Sequence, residues 1–296
     1  MCRLYGYVGS VARLDHLVLD PDHALVHQSV RARELPADVV CTDGFGIAWY
    51  SDESPEPAAY RTDRPMYADK NFRDFAGHVR SLCVIAGVRA ATQASAVNLA
   101  NTLPFTAGST LSFALNGELQ DFAASWQRDL RASLSPACES EIVGTSDSEH
   151  VFALLRDVIE DERSVDGLVN AMQRVLLYLD GHARSHGKSF AANLLLTNGR
   201  AVVASRTATF RDAPSLYVFH GEGEGGSGTF IASEPAWTSD GWHPVPQDVL
   251  VVADGRHPPR QVRMARADLP PDWPAHAPRG VHGEPNQPSS RKDLAC

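Results

Sequence analysis

The chain has 296 residues and a net charge of −9, from 27 basic and 36 acidic residues, and 43% of its residues are hydrophobic. This balance argues against nucleic-acid binding, which needs clustered lysine and arginine, and no apolar stretch reaches the roughly 18 residues of a membrane span. The N-terminus lacks the basic and apolar regions of a signal peptide. The five cysteines have no CxxC spacing, so we expect a cytoplasmic protein without a thiolate metal site.

The first 120 residues are dominated by strand patterns. Four apolar runs predict strands, at 2–9, 44–50, 84–90 and 111–117. The stretch 51–66 is polar and contains prolines, and it is therefore predicted to be a loop.

Two helical patterns follow in the middle of the chain. From residue 145, apolar side chains recur on one helical face, and Ser146 and Glu149 have the spacing of a capping box. The second pattern begins at residue 164, and Gly181 stands where it would end that helix.

Strand patterns return after the second helix. Asn198-Gly199, between two apolar runs, predicts a hairpin turn, and the glycine-rich segment 221–228 predicts a flexible connection. Few apolar residues occur near the C-terminus, so we expect one domain over residues 2–265 and a disordered tail over 266–296. This order of elements predicts two sheets with helices packed outside them.

Cys2 follows directly after the initiator methionine. If Met1 is removed, the new terminal α-amine titrates at about pH 7.7–8.0, against about 8.5 for a thiol. Such an amine can take the thiol proton directly or through one water and so activate the nucleophile. Position alone favours the simpler interpretation, in which Cys2 is only a small terminal residue.

Several motifs change that balance. MCRLYGYVG, DGFGIAWY, GVRAATQ, PFTAGSTLSFALNGEL and GTSDSEH occur in this order, followed by ASEP at 232–235 and LVVAD at 250–254. From residue 2 to about residue 255 the chain resembles the class II glutamine amidotransferases, which are N-terminal-nucleophile (Ntn) hydrolases. It resembles in particular their stand-alone bacterial branch, which includes the γ-glutamyl hydrolase of ergothioneine biosynthesis.

The resemblance implies an α+β fold, a four-layer αββα sandwich of two mainly antiparallel sheets. It also implies that Cys2 is the nucleophile, which attacks glutamine or another γ-glutamyl amide and forms a γ-glutamyl thioester. Asn116 and Gly117 match the oxyanion hole. The competing interpretation is an Asn-Gly turn that ends a buried strand.

The resemblance further implies a clamp for the amino-acid end of the substrate. Arg89 and Thr92 match the group that holds the α-carboxylate, for which an arginine fork is well suited. Asp147 matches the carboxylate that receives the α-ammonium group. The alternatives are a surface arginine at a strand end and an aspartate that the helix dipole favours without any ligand.

Further matches are treated as supporting residues. Asp43 and Gly44 match a segment packed behind the nucleophile, and Arg3 is expected to orient the terminus. Ser233 and Glu234 match the second-half signature of the branch, but the sequence assigns them no role. No metal and no organic cofactor is implied.

Four functions remain open from the sequence. The first is a hydrolase of a small-molecule γ-glutamyl amide, and the second is a glutaminase subunit that supplies ammonia to a separate synthase. A bile-salt or penicillin-type acylase and an inactive binding module rank lower. The acylase would lack the Arg89/Asp147 clamp, and the intact Cys2 and Asn116 argue against the inactive module.

Overall fold

A computed structural model describes the chain in five segments, 2–35, 39–51, 53–91, 96–106 and 110–264. Within these segments, no helix combines the length and the apolar character needed to cross a bilayer. The predicted disordered tail, 266–296, lies outside the described residues.

The described residues form thirteen strands in two sheets. The strands are β1 (Arg3–Arg13), β2 (Phe45–Ser51), β3 (Ser54–Thr62), β4 (Arg80–Val88), β5 (Phe105–Thr106), β6 (Ser112–Leu119), β7 (Phe190–Thr197), β8 (Val202–Thr209), β9 (Tyr217–Gly223), β10 (Gly226–Ala232), β11 (His243–Pro244), β12 (Val249–Ala253) and β13 (Arg260–Arg263). The seven-stranded sheet has the order β11-β9-β10-β1-β4-β2-β3, and the six-stranded sheet has the order β13-β12-β8-β7-β6-β5. Neighbouring strands are antiparallel throughout.

Helices cover the outer faces of both sheets. They are α1 (Leu14–Val18), α2 (Leu25–Gln28), α3 (Lys70–Ala76), α4 (Phe122–Ser125), α5 (Gln127–Ala132), α6 (Pro136–Ser140), α7 (Asp147–Val158) and α8 (Val165–His186). Helices α1 and α2 contact β1 and β4, whereas α7 and α8 contact β6, β7 and β8. The two sheets face each other through β1, β4 and β6, which makes the predicted αββα sandwich.

The alternation of side chains along β1 explains this layering. Leu4 and Val8 are buried in the core between the two sheets, whereas Tyr5 and Tyr7 are buried in the second core, which includes Leu14 of α1. Because successive side chains of a strand point to opposite faces, β1 contributes to both cores. Burial of each large apolar side chain stabilises the fold by about 1.5–3 kcal/mol.

The four predicted strands of the first half correspond to β1, β2, β4 and β6, but the predicted loop at 51–66 is wrong. Residues Ser54–Thr62 form β3, which pairs with β2 alone at the edge of its sheet. Pro55 and Pro57 lie in this strand. Proline lacks a backbone donor, and an edge strand tolerates it because one side of the strand has no partner.

The predicted end of the second helix at Gly181 is also wrong. Helix α8 continues to His186 and ends at Gly187, whose φ of 62° lies in the left-handed region that glycine favours. The buried face continues past Gly181 through His182 and Ala183. This packing offsets the helix-propensity cost of the internal glycine, which is about 1 kcal/mol.

The segment 221–228 is not a flexible connection. It forms the end of β9, a short turn and the start of β10, with Gly223 paired with Gly226. At Gly228, a Cβ atom would lie 2.5 Å from the carbonyl oxygen of Val8. At least this glycine is therefore needed for close approach of β10 to β1. The hairpin turn predicted at Asn198-Gly199 is confirmed between β7 and β8.

Candidate active site

Three adjacent strands of the seven-stranded sheet, β1, β4 and β2, bring residues that are distant in sequence to one end of the sheet. Val88, the last residue of β4, pairs with Arg3 on one side and with Phe45 on the other. Because β4 is antiparallel to both β1 and β2, the residues before β1, before β2 and after β4 lie at the same end of the sheet. Cys2, Gly44 and Arg89 therefore lie near one another.

Backbone hydrogen bonds join the segment before β2 to the segment after β4 at this end of the sheet. Asp43 N–H donates to the Arg89 carbonyl (3.0 Å), and Arg89 N–H donates to the Gly44 carbonyl (2.8 Å). The Asp43 carboxylate accepts a further hydrogen bond from Ala91 N–H (2.8 Å). Gly44 has a φ of 114°, and a Cβ atom there would lie 2.7 Å from the Thr62 carbonyl oxygen. Asp43 and Gly44 thus shape the segment that carries Arg89.

The Cys2 thiol is influenced by groups of opposite charge. Burial raises the pKa of Cys2, and this effect is opposed by the positive charge of the chain terminus, by a hydrogen bond from the backbone of Ala90 and by the positive charge of Arg89. The negative charge of Asp147 raises the pKa again. Arg89 and Asp147, predicted to form the two ends of the clamp, therefore both act on the predicted nucleophile. Thr92, predicted beside Arg89, lies outside the described residues.

Asn116 lies inside β6, in the opposite sheet. Its side chain is fully buried, and neither Nδ2 nor Oδ1 has a hydrogen-bond partner among the described residues. Leaving such a group unsatisfied costs about 1–3 kcal/mol. Gly117 follows with a φ of 149°, and a Cβ atom there would lie 1.8 Å from the carbonyl oxygen of Ala191. The pair is therefore part of a strand, and the alternative of a turn that ends the strand is wrong.

Asp147 is the first residue of α7 and is tied to the end of β6. Its Oδ2 accepts a hydrogen bond from Leu119 N–H (3.1 Å), and its Oδ1 accepts from Ser148 N–H (2.7 Å) and from the Ser148 hydroxyl. Burial raises the pKa of Asp147 above its ordinary value, although these hydrogen bonds act in the opposite direction. The carboxylate therefore has a fixed orientation and a cost of charging that a cation would reduce.

The predicted cap of α7 is present in part. Ser146 Oγ accepts a hydrogen bond from Glu149 N–H (3.2 Å), as a capping box requires. The Glu149 carboxylate does not return this bond to Ser146, because it accepts from the backbone N–H groups of Val143 and Gly144 instead. It thereby orders the loop that leads into the helix.

Asn101, which the sequence did not point to, joins the two ends of the clamp. Arg89 Nη2 and Asn101 Nδ2 both donate to the carbonyl oxygen of Ala96, at 3.2 and 3.1 Å. Asn101 Oδ1 accepts from the backbone N–H groups of Thr145 (2.8 Å) and Ser146 (3.1 Å), just before α7. One buried amide therefore sets the position of Arg89 relative to the helix that carries Asp147. No local pattern predicts it, because Thr145 lies 44 positions away in the chain.

Arg3 is completely buried beside the predicted nucleophile. Its Nε donates to the carbonyl oxygen of Cys2 (2.7 Å), and its Nη1 forms an ion pair with Glu234 (3.1 Å). The guanidinium therefore contacts the Cys2 backbone directly.

An αββα sandwich with a cysteine just before its central strand β1 has the architecture of the Ntn hydrolases. A solved glutamine aminotransferase class-II domain protein from Silicibacter pomeroyi has the same fold, with a TM-score of 0.63 and 24% identity over 89% of this chain and all of that one.

The family follows from the sequence comparison. The family model described as "Glutamine amidotransferases class-II" matches residues 18–217, and the chain belongs to this family of enzymes.

Two curated relatives match over most of their length. A γ-glutamyl-hercynylcysteine sulfoxide hydrolase of Mycolicibacterium smegmatis is 32% identical over 257 residues, which cover 87% of this chain and 97% of the relative. A Saccharomyces cerevisiae protein named "Probable glutamine amidotransferase DUG3" is 30% identical over 279 residues, covering 86% of this chain and 75% of that protein. The resemblance predicted from the motifs is confirmed.

Proposed function

We propose that this protein hydrolyses γ-glutamyl amides, with Cys2 as the nucleophile and a γ-glutamyl thioester as the intermediate. The observation that carries the proposal is the pair of opposite charges, Arg89 and Asp147, that act on the thiol of the partly buried residue Cys2. This pair is complementary to the zwitterionic end of a γ-glutamyl group, whose side-chain carbonyl would then face Cys2.

Substrate binding would use both charges. The Arg89 guanidinium binds the α-carboxylate through parallel hydrogen bonds, and Asp147 accepts hydrogen bonds from the α-ammonium group. Asp147 Oδ1 and Oδ2 already accept from Ser148 and Leu119, and a carboxylate has about four acceptor positions, so acceptor capacity is left for a ligand. A substrate cation would also offset the burial of this carboxylate.

The chemistry would proceed in two steps. After removal of Met1, the α-amine of Cys2 takes the thiol proton, and the thiolate attacks the γ-carbonyl carbon. Asn116 Nδ2 and Gly117 N–H donate to the oxyanion of the tetrahedral intermediate. The amine leaves with a proton from the α-ammonium, and water then cleaves the thioester to release glutamate. The unpartnered amide of Asn116 supports this role, because it is a buried donor not used by the described residues.

The proposed substrate is a γ-glutamyl amide of a larger amine. The Mycolicibacterium smegmatis relative is named for a γ-glutamyl-hercynylcysteine sulfoxide, and this supports a bulky leaving amine. The alternative is release of ammonia from glutamine for a separate synthase, which the amidotransferase name of the yeast relative supports. The two candidates share every residue described above and differ in the leaving group.

Glutamate release from glutamine and from a panel of γ-glutamyl amides tests both candidates. We expect Cys2→Ala to abolish release, whereas Cys138→Ala, which alters another partly exposed cysteine, leaves it unchanged. Rapid release from a bulky amide and slow release from glutamine support the hydrolase. Ammonia release that increases when a synthase is added supports the alternative, and turnover by Cys2→Ala contradicts both.

A further inference from the structure

Glu234, in the ASEP segment to which the sequence assigned no role, is the centre of a buried hydrogen-bond network. Its carboxylate accepts from Arg3 Nη1 (3.1 Å), from His23 Nε2 (2.7 Å) and from the backbone N–H groups of Arg33 (2.8 Å) and Glu34 (3.1 Å). These donors come from three separate segments of the chain. Burial by itself raises the pKa of Glu234, but the hydrogen bonds and the charge of Arg3 bring it below its usual value.

The neighbouring Ser233 fixes the same part of β1. Leu4 N–H donates to Ser233 Oγ (2.9 Å), and Ser233 N–H donates to the Leu4 carbonyl (3.0 Å). Arg3 stands between these contacts and Cys2, and its Nε donates to the Cys2 carbonyl (2.7 Å). The network therefore ends on the backbone of the residue that carries the thiol.

Stability alone does not account for a buried ion pair at this position. The Arg3 and Glu234 side chains are both completely buried, and such pairs are often no more stabilising than apolar residues of similar volume. An apolar pair, however, has no donor for the Cys2 carbonyl. What the charged pair adds is a guanidinium with a fixed orientation, held by Glu234 on one side and bonded to Cys2 on the other.

We propose that Glu234 is a positioning residue, which holds Arg3 so that Arg3 fixes the backbone of Cys2 for attack on the substrate. The proposal rests on the proposed function, in which Cys2 is the nucleophile. A displacement of about 1 Å at a reacting group can lower a rate about 100-fold. Neither of the clamp residues, Arg89 and Asp147, takes part in the hydrogen bonds of Glu234 listed above. A substitution of Glu234 should therefore change substrate binding little.

A double-mutant cycle on the full chain tests this proposal, with Glu234→Gln, Arg3→Met and the double variant. We expect Glu234→Gln to lower kcat about 100-fold with KM within about threefold. In the Arg3→Met background the same substitution should have no further effect, because Glu234 acts through Arg3. Asp180→Asn is the matched control, since Asp180 is a buried carboxylate on α8 that pairs with Arg184, and its kcat should equal that of the wild type.

A second readout does not depend on turnover. The rate of Cys2 alkylation by iodoacetamide, followed by mass spectrometry of the N-terminal peptide, should change on Glu234→Gln only when Arg3 is present. If the wild type releases no glutamate, the proposed function fails, and this alkylation cycle still tests the positioning role. An equal loss of kcat with and without Arg3 overturns the proposal. So does a lowered Tm accompanied by an unchanged alkylation rate and an unchanged kcat per folded molecule.

Discussion

Asn116 allows catalysis and stability to be separated by one substitution. Asn116→Leu keeps the branching and the number of non-hydrogen atoms of the side chain while it removes the amide. Asn116 Nδ2 and Oδ1 are buried without a partner among the described residues. The substitution therefore breaks no hydrogen bond between the Asn116 side chain and those residues. Removing an unsatisfied group recovers up to about 1–3 kcal/mol of desolvation cost. We expect the free energy of unfolding to stay equal or to rise.

Catalysis should respond in the opposite direction. Loss of one oxyanion donor typically lowers kcat about 10²–10³-fold, which corresponds to about 2.7–4 kcal/mol of transition-state stabilisation. KM should change little, since Arg89 and Asp147 remain. Initial rates of glutamate release over a range of substrate concentrations give both constants, and urea unfolding gives the stability.

Asn193 provides the control, because it pairs with Asn116 across β6 and β7 and is equally buried. Its Nδ2 donates to the carbonyl groups of Pro214 (3.0 Å) and Ser215 (2.9 Å). Asn193→Leu should therefore lower the free energy of unfolding by at least about 1–3 kcal/mol. If Asn116→Leu destabilises the protein as much as Asn193→Leu does, and kcat is unchanged, the assignment of Asn116 as an oxyanion donor is refuted.

Three further predictions concern the clamp and the strand beneath it. Asn101→Ala should raise KM for the γ-glutamyl amide at least about tenfold, as it removes the link between Arg89 and α7; an unchanged KM would argue against the link. Because burial raises the pKa of Asp147, its carboxylate becomes protonated at a higher pH than that of an exposed aspartate. KM should therefore rise as the pH falls towards that pKa. Asp147→Asn should give a high KM that does not depend on pH. Gly117→Ala should markedly lower Tm, because its Cβ would overlap the Ala191 carbonyl; an unchanged Tm would contradict the described path of β6.

Much of the fold was predictable because local patterns agree with tertiary packing. The strands at 84–90 and 111–117 are buried on both sides, so their apolar runs are nearly continuous. The strand Ser54–Thr62 was missed because it lies at a sheet edge, where exposure and proline imitate a loop. The length of α8 was underestimated at Gly181, since a single glycine is a weaker signal than the buried face that continues beyond it.

The residues of the candidate site also fall into a group that could be predicted from the sequence and a group that could not. Cys2, Arg89, Asn116 and Asp147 could be proposed because each lies in a short motif. The residues that position them could not, because their partners are distant in sequence. Glu234 bonds Arg3 across 231 positions, and periodicity carries no information about such a contact.

In the proposed reaction, Cys2 forms a covalent γ-glutamyl intermediate. Intact-protein mass spectrometry after acid quenching during turnover tests this claim most directly. We expect a species that carries one γ-glutamyl group on Cys2, is absent from Cys2→Ala and is retained in Cys138→Ala. Steady release of glutamate by a protein whose Cys2 never carries the adduct, with equal turnover by Cys2→Ala, would contradict it.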